Sequence, residues 1–387
     1  MNVAYRTTSW KNTDIGKIPS DWSITNLSDI CDNYTGLTYS PKSVSESGTL
    51  VLRSSNIKQG RLSFSDNVFV KMEIPSRAMA HDGDVLVCVR NGSTRLIGKS
   101  AKVVGNGMAF GAFMTVLRAN KCFPEFLLFL WQSFYIQEQI KITLGATINQ
   151  ITNADIKNFV VPVPSTIPEQ QKIAEVLTDI DDLIAELECV MDKKNAIKTG
   201  AMQELLKPKA SWKTVLLSQI ADIYQPETIS QNVLTDSGYT VYGANGIIGC
   251  YSKYNHADPQ IMITCRGSTC GTVNKSRPYS WITGNAMVVK TNDTVSKDFL
   301  YYLLSNVDFS FAISGSGQPQ IVRKPLIEFN VCIPSCLQEQ EKIAQTLSDM
   351  DDEISAISEK INKYKQIKSG VAGELLSGRI RLVKPQE

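Results

Sequence analysis

Histidine is nearly absent from this chain of 387 residues, with only His81 and His256 present. That removes most routes to histidine-centred acid–base or metal chemistry. The nine cysteines contain no Cys-x-x-Cys pair, and the closest spacings are Cys265 to Cys270 and Cys332 to Cys336. Structural zinc needs tighter pairing, so no metal is expected. Cys88, Cys265 and Cys332 stand in apolar runs, where a thiol behaves as a small hydrophobe. No run of about 18 apolar residues is present to span a bilayer. The stretch MNVAYRTTSWKNTD lacks the apolar core of a secretory signal. The expectation is a cytoplasmic protein with no membrane partner. Excess charge is missing too: 40 Lys and Arg stand against 38 Asp and Glu, for a net charge of +2. Any nucleic-acid binding therefore has to come from a local basic face.

A working nucleotide loop is also missing. The stretch NGSTRLIGKS, Asn91 to Ser100, follows the apolar run DVLVCV and resembles a P-loop. In a P-loop, four residues separate the glycines before a Lys-Ser/Thr pair that opens a helix. Here five separate Gly92 from Gly98, and SAKVVGNG reads as a strand ending in a turn. The corresponding RGSTCGTVNKS lacks the motif altogether. No cofactor is expected in this chain.

What is present is a repeat. EQQKIAEVLTDIDD, Glu169 to Asp182, returns as EQEKIAQTLSDMDD, Glu339 to Asp352, at an offset of 170 residues. That offset holds without a gap from Pro164 against Pro334 to Leu206 against Leu376, and 19 of the 43 pairs are identical. An internal repeat of this kind decides the architecture before any other reading. In the first copy Ile173, Ile180 and Leu187 recur every seven residues, with Leu177 and Ile184 beside them and Ile197, Ala201 and Leu205 continuing the stripe. In the second copy Ile343, Met350 and Ile357 form the same line, flanked by Leu347 and Ile354. Sustained heptads predict long helices that pack on each other, most simply as an antiparallel pair. A helix from Pro168 to Leu206 would span on the order of 55 to 60 Å.

Before each helix lies a stretch of short Val, Ile, Leu, Tyr and Thr runs punctuated by Gly, Asn and Ser, the pattern of a β-rich domain. Both stretches open on a tryptophan, in DWSITNLSDI and SWKTVLLSQI. Each contains one helical segment (PEFLLFLWQSFYIQEQI; KDFLYYLLSN) and a Gly-rich turn ending in Gln150-Ile151 or Gln320-Ile321. The expected fold class is α+β: two β-rich domains in pseudo-twofold arrangement, separated by two long antiparallel coiled-coil helices. The expected divisions are a closing segment 1–19, a first domain 20–155, a first helix and linker 156–210, a second domain 211–325, and a second helix and tail 326–387.

The loops at strand ends suggest what the domains hold. Arg90, Asn91 and Ser93, with Arg95 behind them, combine cations with hydrogen-bonding groups on flexible backbone. Arg266 and Ser268, with Lys275 further on, do the same in the second domain. Arg53 and Asn56, and Tyr242 and Asn245, offer similar chemistry. Arginine reaches guanine and phosphate, and asparagine reaches adenine. Each loop alone could be an ordinary hydrogen-bonded turn, but recurrence in both domains favours nucleic acid. The competing reading is a coiled-coil assembly scaffold that never touches bases.

The residues GKIPSDWSITNL, PSTIPEQQKIAEVLTDIDD, IPSCLQEQEKIAQTLSDMDD, VYGANGIIGCY and LLSGRIRL together make the chain resemble the specificity subunit of a Type I restriction–modification system. The resemblance covers essentially the whole chain. It implies two target-recognition domains, each reading one half of a split, asymmetric sequence in double-stranded DNA, with the helices fixing the spacer between the halves. It further implies a subunit that catalyses nothing. Two modification subunits carrying S-adenosylmethionine would dock on the helices and methylate adenine N6. Restriction subunits using ATP and Mg would join them.

Overall fold

The computed structural model describes residues 4–146, 149–244, 246–267, 269–315 and 319–384. The chain divides into two compact units, one formed by Met1–Glu186 with Ile361–Glu387 and the other by Leu187–Lys360. Each unit therefore holds part of both long helices, Ile167–Leu205 and Leu337–Leu376.

In the first unit a four-stranded antiparallel sheet has the order Ser100–Lys102, Val85–Cys88, Met114–Ala119, Cys31–Thr35. A second, five-stranded sheet contains a parallel pair, Thr49–Leu52 beside Met108–Phe110. Val85, Leu86, Val87 and Cys88 are all buried, since one sheet face meets the helices and the other meets the second sheet. The helical segment expected after Phe123 is two helices, Pro124–Gln132 and Phe134–Ala146, parted at Ser133.

The second unit repeats this plan. Its four-stranded sheet runs Val273–Lys275, Ile261–Thr264, Ala286–Thr291, Ala221–Tyr224, again antiparallel throughout. Tyr239–Gly243 lies parallel to Trp281–Ile282, as Thr49–Leu52 lies parallel to Met108–Phe110. Even the glycine preceding that strand recurs: Gly48 and Gly238 both have positive φ, and a Cβ would press on the carbonyl of Val70 in one and Tyr251 in the other. Duplication therefore reaches the sheets, where sequence likeness has faded to punctuation.

The helix repeat has a local explanation. Gln170 and Gln340 are both buried. The Gln170 carbonyl oxygen accepts from the Phe123 N–H at 2.9 Å, and its amide nitrogen donates to the Pro164 carbonyl at 3.1 Å. Gln340 does the same with the Ser296 N–H at 2.8 Å and the Pro334 carbonyl at 2.9 Å. In each unit one amide joins the start of the long helix to the start of the domain's own helix, satisfying a backbone N–H left free at a helix N-terminus. The preceding glutamates are treated differently. Glu169 is buried against Arg381, whose guanidinium also binds Asp21 at 2.8 and 3.0 Å and lies 5.5 Å from the Trp22 ring centre. Glu339, nearer solvent, meets Lys209 at 3.1 Å and the Trp212 ring N–H at 3.2 Å.

The seam residues Ile173, Leu177, Ile184, Ile343 and Leu347 are buried; Ile180, Leu187, Met350, Ile354 and Ile357 are half-buried. In the second unit Lys194 pairs with Glu353 and Lys198 with Asp351, so the paired numbers run in opposite directions along antiparallel helices. In the first unit Lys368 pairs with Asp181 at 2.6 Å. One expectation is corrected in part: Ala201 and Leu205 continue the stripe and pack on the core beside Met202, but Ile197 is 58% exposed and does not.

Candidate nucleic-acid interface

The candidate residues of the first unit come from loops leaving two different sheets. Arg53 follows Thr49–Leu52, and Arg90 follows Val85–Cys88. The loops meet where Asn91 Nδ2 donates to Ser54 Oγ at 3.3 Å and Lys99 Nζ to the Ser54 carbonyl at 3.4 Å. Asn91 Oδ1 also accepts from the Ser93 N–H at 3.0 Å, shaping the turn that exposes Ser93 and Arg95. The exposed Arg90 lies 5.3 Å from the Phe113 ring centre, and its backbone forms an isolated antiparallel bridge with Gln150. The same edge collects Arg77, which donates to the Thr35 carbonyl at 3.2 Å, and Asn153, which donates to Thr35 Oγ1 at 2.8 Å.

In the second unit the corresponding loops also converge: Thr264 Oγ1 donates to the Ala244 carbonyl at 2.7 Å. Arg266 is exposed and bridges Gln320, the partner of Gln150 at the offset of 170. Arg323, which matches Asn153 at that offset, donates through Nε to the Ile223 carbonyl at 2.5 Å on the outer strand. Asn245 and Ser268 lie outside the described residues. Nearby, His256 Nε2 is 2.8 Å from the Tyr224 hydroxyl. Burial, helped by Lys290, holds His256 below its ordinary value and so favours the neutral ring. Burial pushes the Cys265 thiol up to about 11 and raises that of Cys88, which leaves both as packing groups.

Three candidates are placed elsewhere than expected. Asn56 is fully buried: its Oδ1 accepts from the Arg53 N–H at 2.9 Å, and its Nδ2 donates to the carbonyls of Ser63 and Asp66 at 3.0 and 3.1 Å. It organises the loop from within. Tyr242 is 7% exposed, with its hydroxyl accepting from the Arg277 N–H at 3.1 Å. Lys275 pairs opposite Ile261, at the far end of the strand from Arg266, and its ammonium binds Asp298. Four strand residues put about 13 Å between those two ends. Arg53 stays at the edge but is held by Asp66 at 2.9 Å.

The P-loop resemblance ends in a single short turn, Thr94–Leu96, followed by the strand Ser100–Lys102, so no helix N-terminus faces that loop. Among the described residues no group of three or more His, Cys, Asp or Glu could hold a metal ion, and no helix is long and apolar enough to cross a membrane.

The fold and loops define a class: a duplicated protein in which paired β-rich units present arginine-bearing loops and share two long helices. Residues 19–199 and 209–368 match the model for the Type I restriction modification DNA specificity domain, and the chain belongs to that family. It is 26% identical over 423 residues to the putative type I restriction enzyme MjaX specificity subunit of Methanocaldococcus jannaschii, covering 98% of each chain. It is 29% identical over 181 residues to the StySPI specificity subunit of Salmonella potsdam, covering 45% of this chain and 38% of that one. The S subunit from M. genitalium is similar in structure, with a TM-score of 0.65 at 16% identity over 96% of this chain and 98% of that one. A chain from a study of complex assembly and conformational transition of the type I R-M system has a TM-score of 0.55 at 18% identity, covering 94% and 99%.

Proposed function

We propose that the chain is the DNA-reading subunit of a Type I restriction–modification complex, each unit reading one half of a split target. The recognition domains are residues 20–155 and 211–325, and the segments 156–210 and 326–387 form the frame. The half-buried seam and the outer faces of the two helices receive the modification subunits, which bring S-adenosylmethionine; the restriction subunits bring ATP and Mg. The chain itself positions these activities and performs no chemistry.

The observation that carries this reading is the recurrence, in both units, of an exposed arginine at the same strand end, opposite a glutamine, above duplicated helices. Two half-sites and two like partners call for a repeated frame, which one chain supplies by copying the frame and varying the loops. A pure assembly scaffold would need the helices but not the exposed arginines. The test is long-read mapping of methylated adenine in cells carrying this chain with its modification partner. The expected result is one split, asymmetric motif, present only when both are expressed. A methylation pattern that does not depend on this chain would refute the proposal.

A further inference from the structure

The two units differ most in the length of chain between their site loops. From Gly48 to Arg90 the first unit uses 42 positions, and from Gly238 to Arg266 the second uses 28. The loop residues differ as well: Arg53 and Ser54 stand where the second unit has Gly243 and Ala244. Against this divergence one pair stays the same. Arg90 faces Gln150 across an antiparallel bridge, and Arg266 faces Gln320 in the same way. Residues directly opposed in an antiparallel pair project on the same side, with Cβ atoms about 4.5 to 5.5 Å apart.

The side chains are not required for the bridge itself. It is held by backbone, Ile151 N–H to the Val89 carbonyl at 2.8 Å and Ile321 N–H to the Cys265 carbonyl at 2.9 Å. Both arginines are exposed, and among the described residues neither has a carboxylate partner, unlike Arg53, Arg61, Arg118 and Arg381. A guanidinium without a carboxylate at a strand end, kept while its surroundings change, serves something both half-sites share. Two readers of unlike sequences share the phosphate backbone and not the bases.

We infer that the pairs Arg90–Gln150 and Arg266–Gln320 grip the phosphate backbone at equivalent places in the two half-sites, and that the divergent loops around them read sequence. This rests on the proposed function and divides its labour: the repeated pair supplies register and affinity, the varied loops supply specificity. Guanidinium and side-chain amide both donate to phosphate oxygens, and neither contact depends on base identity.

The experiment uses the full chain in complex with its modification subunits, with binding measured by fluorescence anisotropy on target and random duplexes over a salt series. Arg266→Ala and Gln320→Ala are each expected to weaken target and random duplex by the same factor, about 5- to 20-fold for the arginine. Arg266→Ala should also reduce the slope of log K against log salt by about 0.9, the loss of one phosphate contact. Arg266→Lys should keep the slope, because a phosphate accepts any cation, whereas a bidentate base contact needs the guanidinium fork. Arg90 and Gln150 variants should behave alike. Weakening confined to the target duplex, a methylated motif relaxed at one base position, or unchanged binding would each overturn the inference. Wild-type complex that binds no DNA would overturn the proposed function instead, so the two failures are distinguishable. Unchanged thermal unfolding of each variant shows that folding is intact.

Discussion

Glu169 and Glu339 occupy the same place in the repeat, yet their partners differ in a way that can be tested. Replacing Arg381 with alanine strands Glu169, 1% exposed, as a buried charge with no counter-ion. Breaking one side of a buried pair costs about 3–5 kcal/mol. At 2–4 °C per kcal/mol for a body of 150–250 residues, the transition of that unit should fall by roughly 6–20 °C. Replacing Lys209 beside Glu339 exposes that carboxylate to water, which solvates it readily, and the melting temperature should not change measurably. The double variant Glu169→Met/Arg381→Met should recover most of the loss, because a well-packed apolar pair replaces a buried ionic one at little net cost. Differential scanning calorimetry of the intact chain resolves these outcomes. Equal destabilisation by Arg381→Ala and Lys209→Ala would refute the reasoning, since it would mean that burial does not set the cost. The pH dependence follows the same pair. The Arg381 hydrogen bond holds Asp21 below the ordinary carboxylate range, against an opposing contribution from burial. Its stabilisation is complete above the unfolded-state pKa and is lost as pH falls through the depressed one. Arg381→Ala should remove that part of the acid sensitivity.

The remaining predictions are briefer. Leu177→Ala, at a fully buried seam position, should cost about 2–5 kcal/mol by calorimetry, while Ile197→Ala should change stability little. Asn56→Ala should destabilise its unit by about 1–3 kcal/mol through the donors and acceptors left unpaired, and leave the methylated motif unaltered. Deleting one heptad from each long helix removes about 10 Å and should shorten the gap in the methylated motif by roughly 3 bp, read by methylation mapping. An unchanged gap would mean that the helices are not the ruler.

The frame was legible in the sequence because its signals are local and repeated. Heptads announce helices, and Gln170 and Gln340 recur because each makes the same two hydrogen bonds. The pairing of Arg90 with Arg266 was readable from their place at the end of apolar strand runs. Asn56, Tyr242 and Lys275 were misplaced for a common reason. A polar residue in a loop looks available until the groups that occupy it are known, and those come from elsewhere in the chain. For Asn56 they are Ser63 and Asp66; for Tyr242, Arg277; for Lys275, Asp298. Asn153 and Arg323 were missed for the converse reason. Their shared position at the offset of 170 was visible, but their two different side chains concealed that both fasten the outer strand.

The doubly bonded glutamines also constrain how such a chain can change over generations. Because a single amide holds two backbone segments at once, a domain can lengthen or shed whole loops away from Phe123 or Ser296 without disturbing the joint. A slip of one residue at the joint itself would leave both of those partners unsatisfied. Divergence can therefore accumulate outside a fixed socket, and one socket can carry many dissimilar domains.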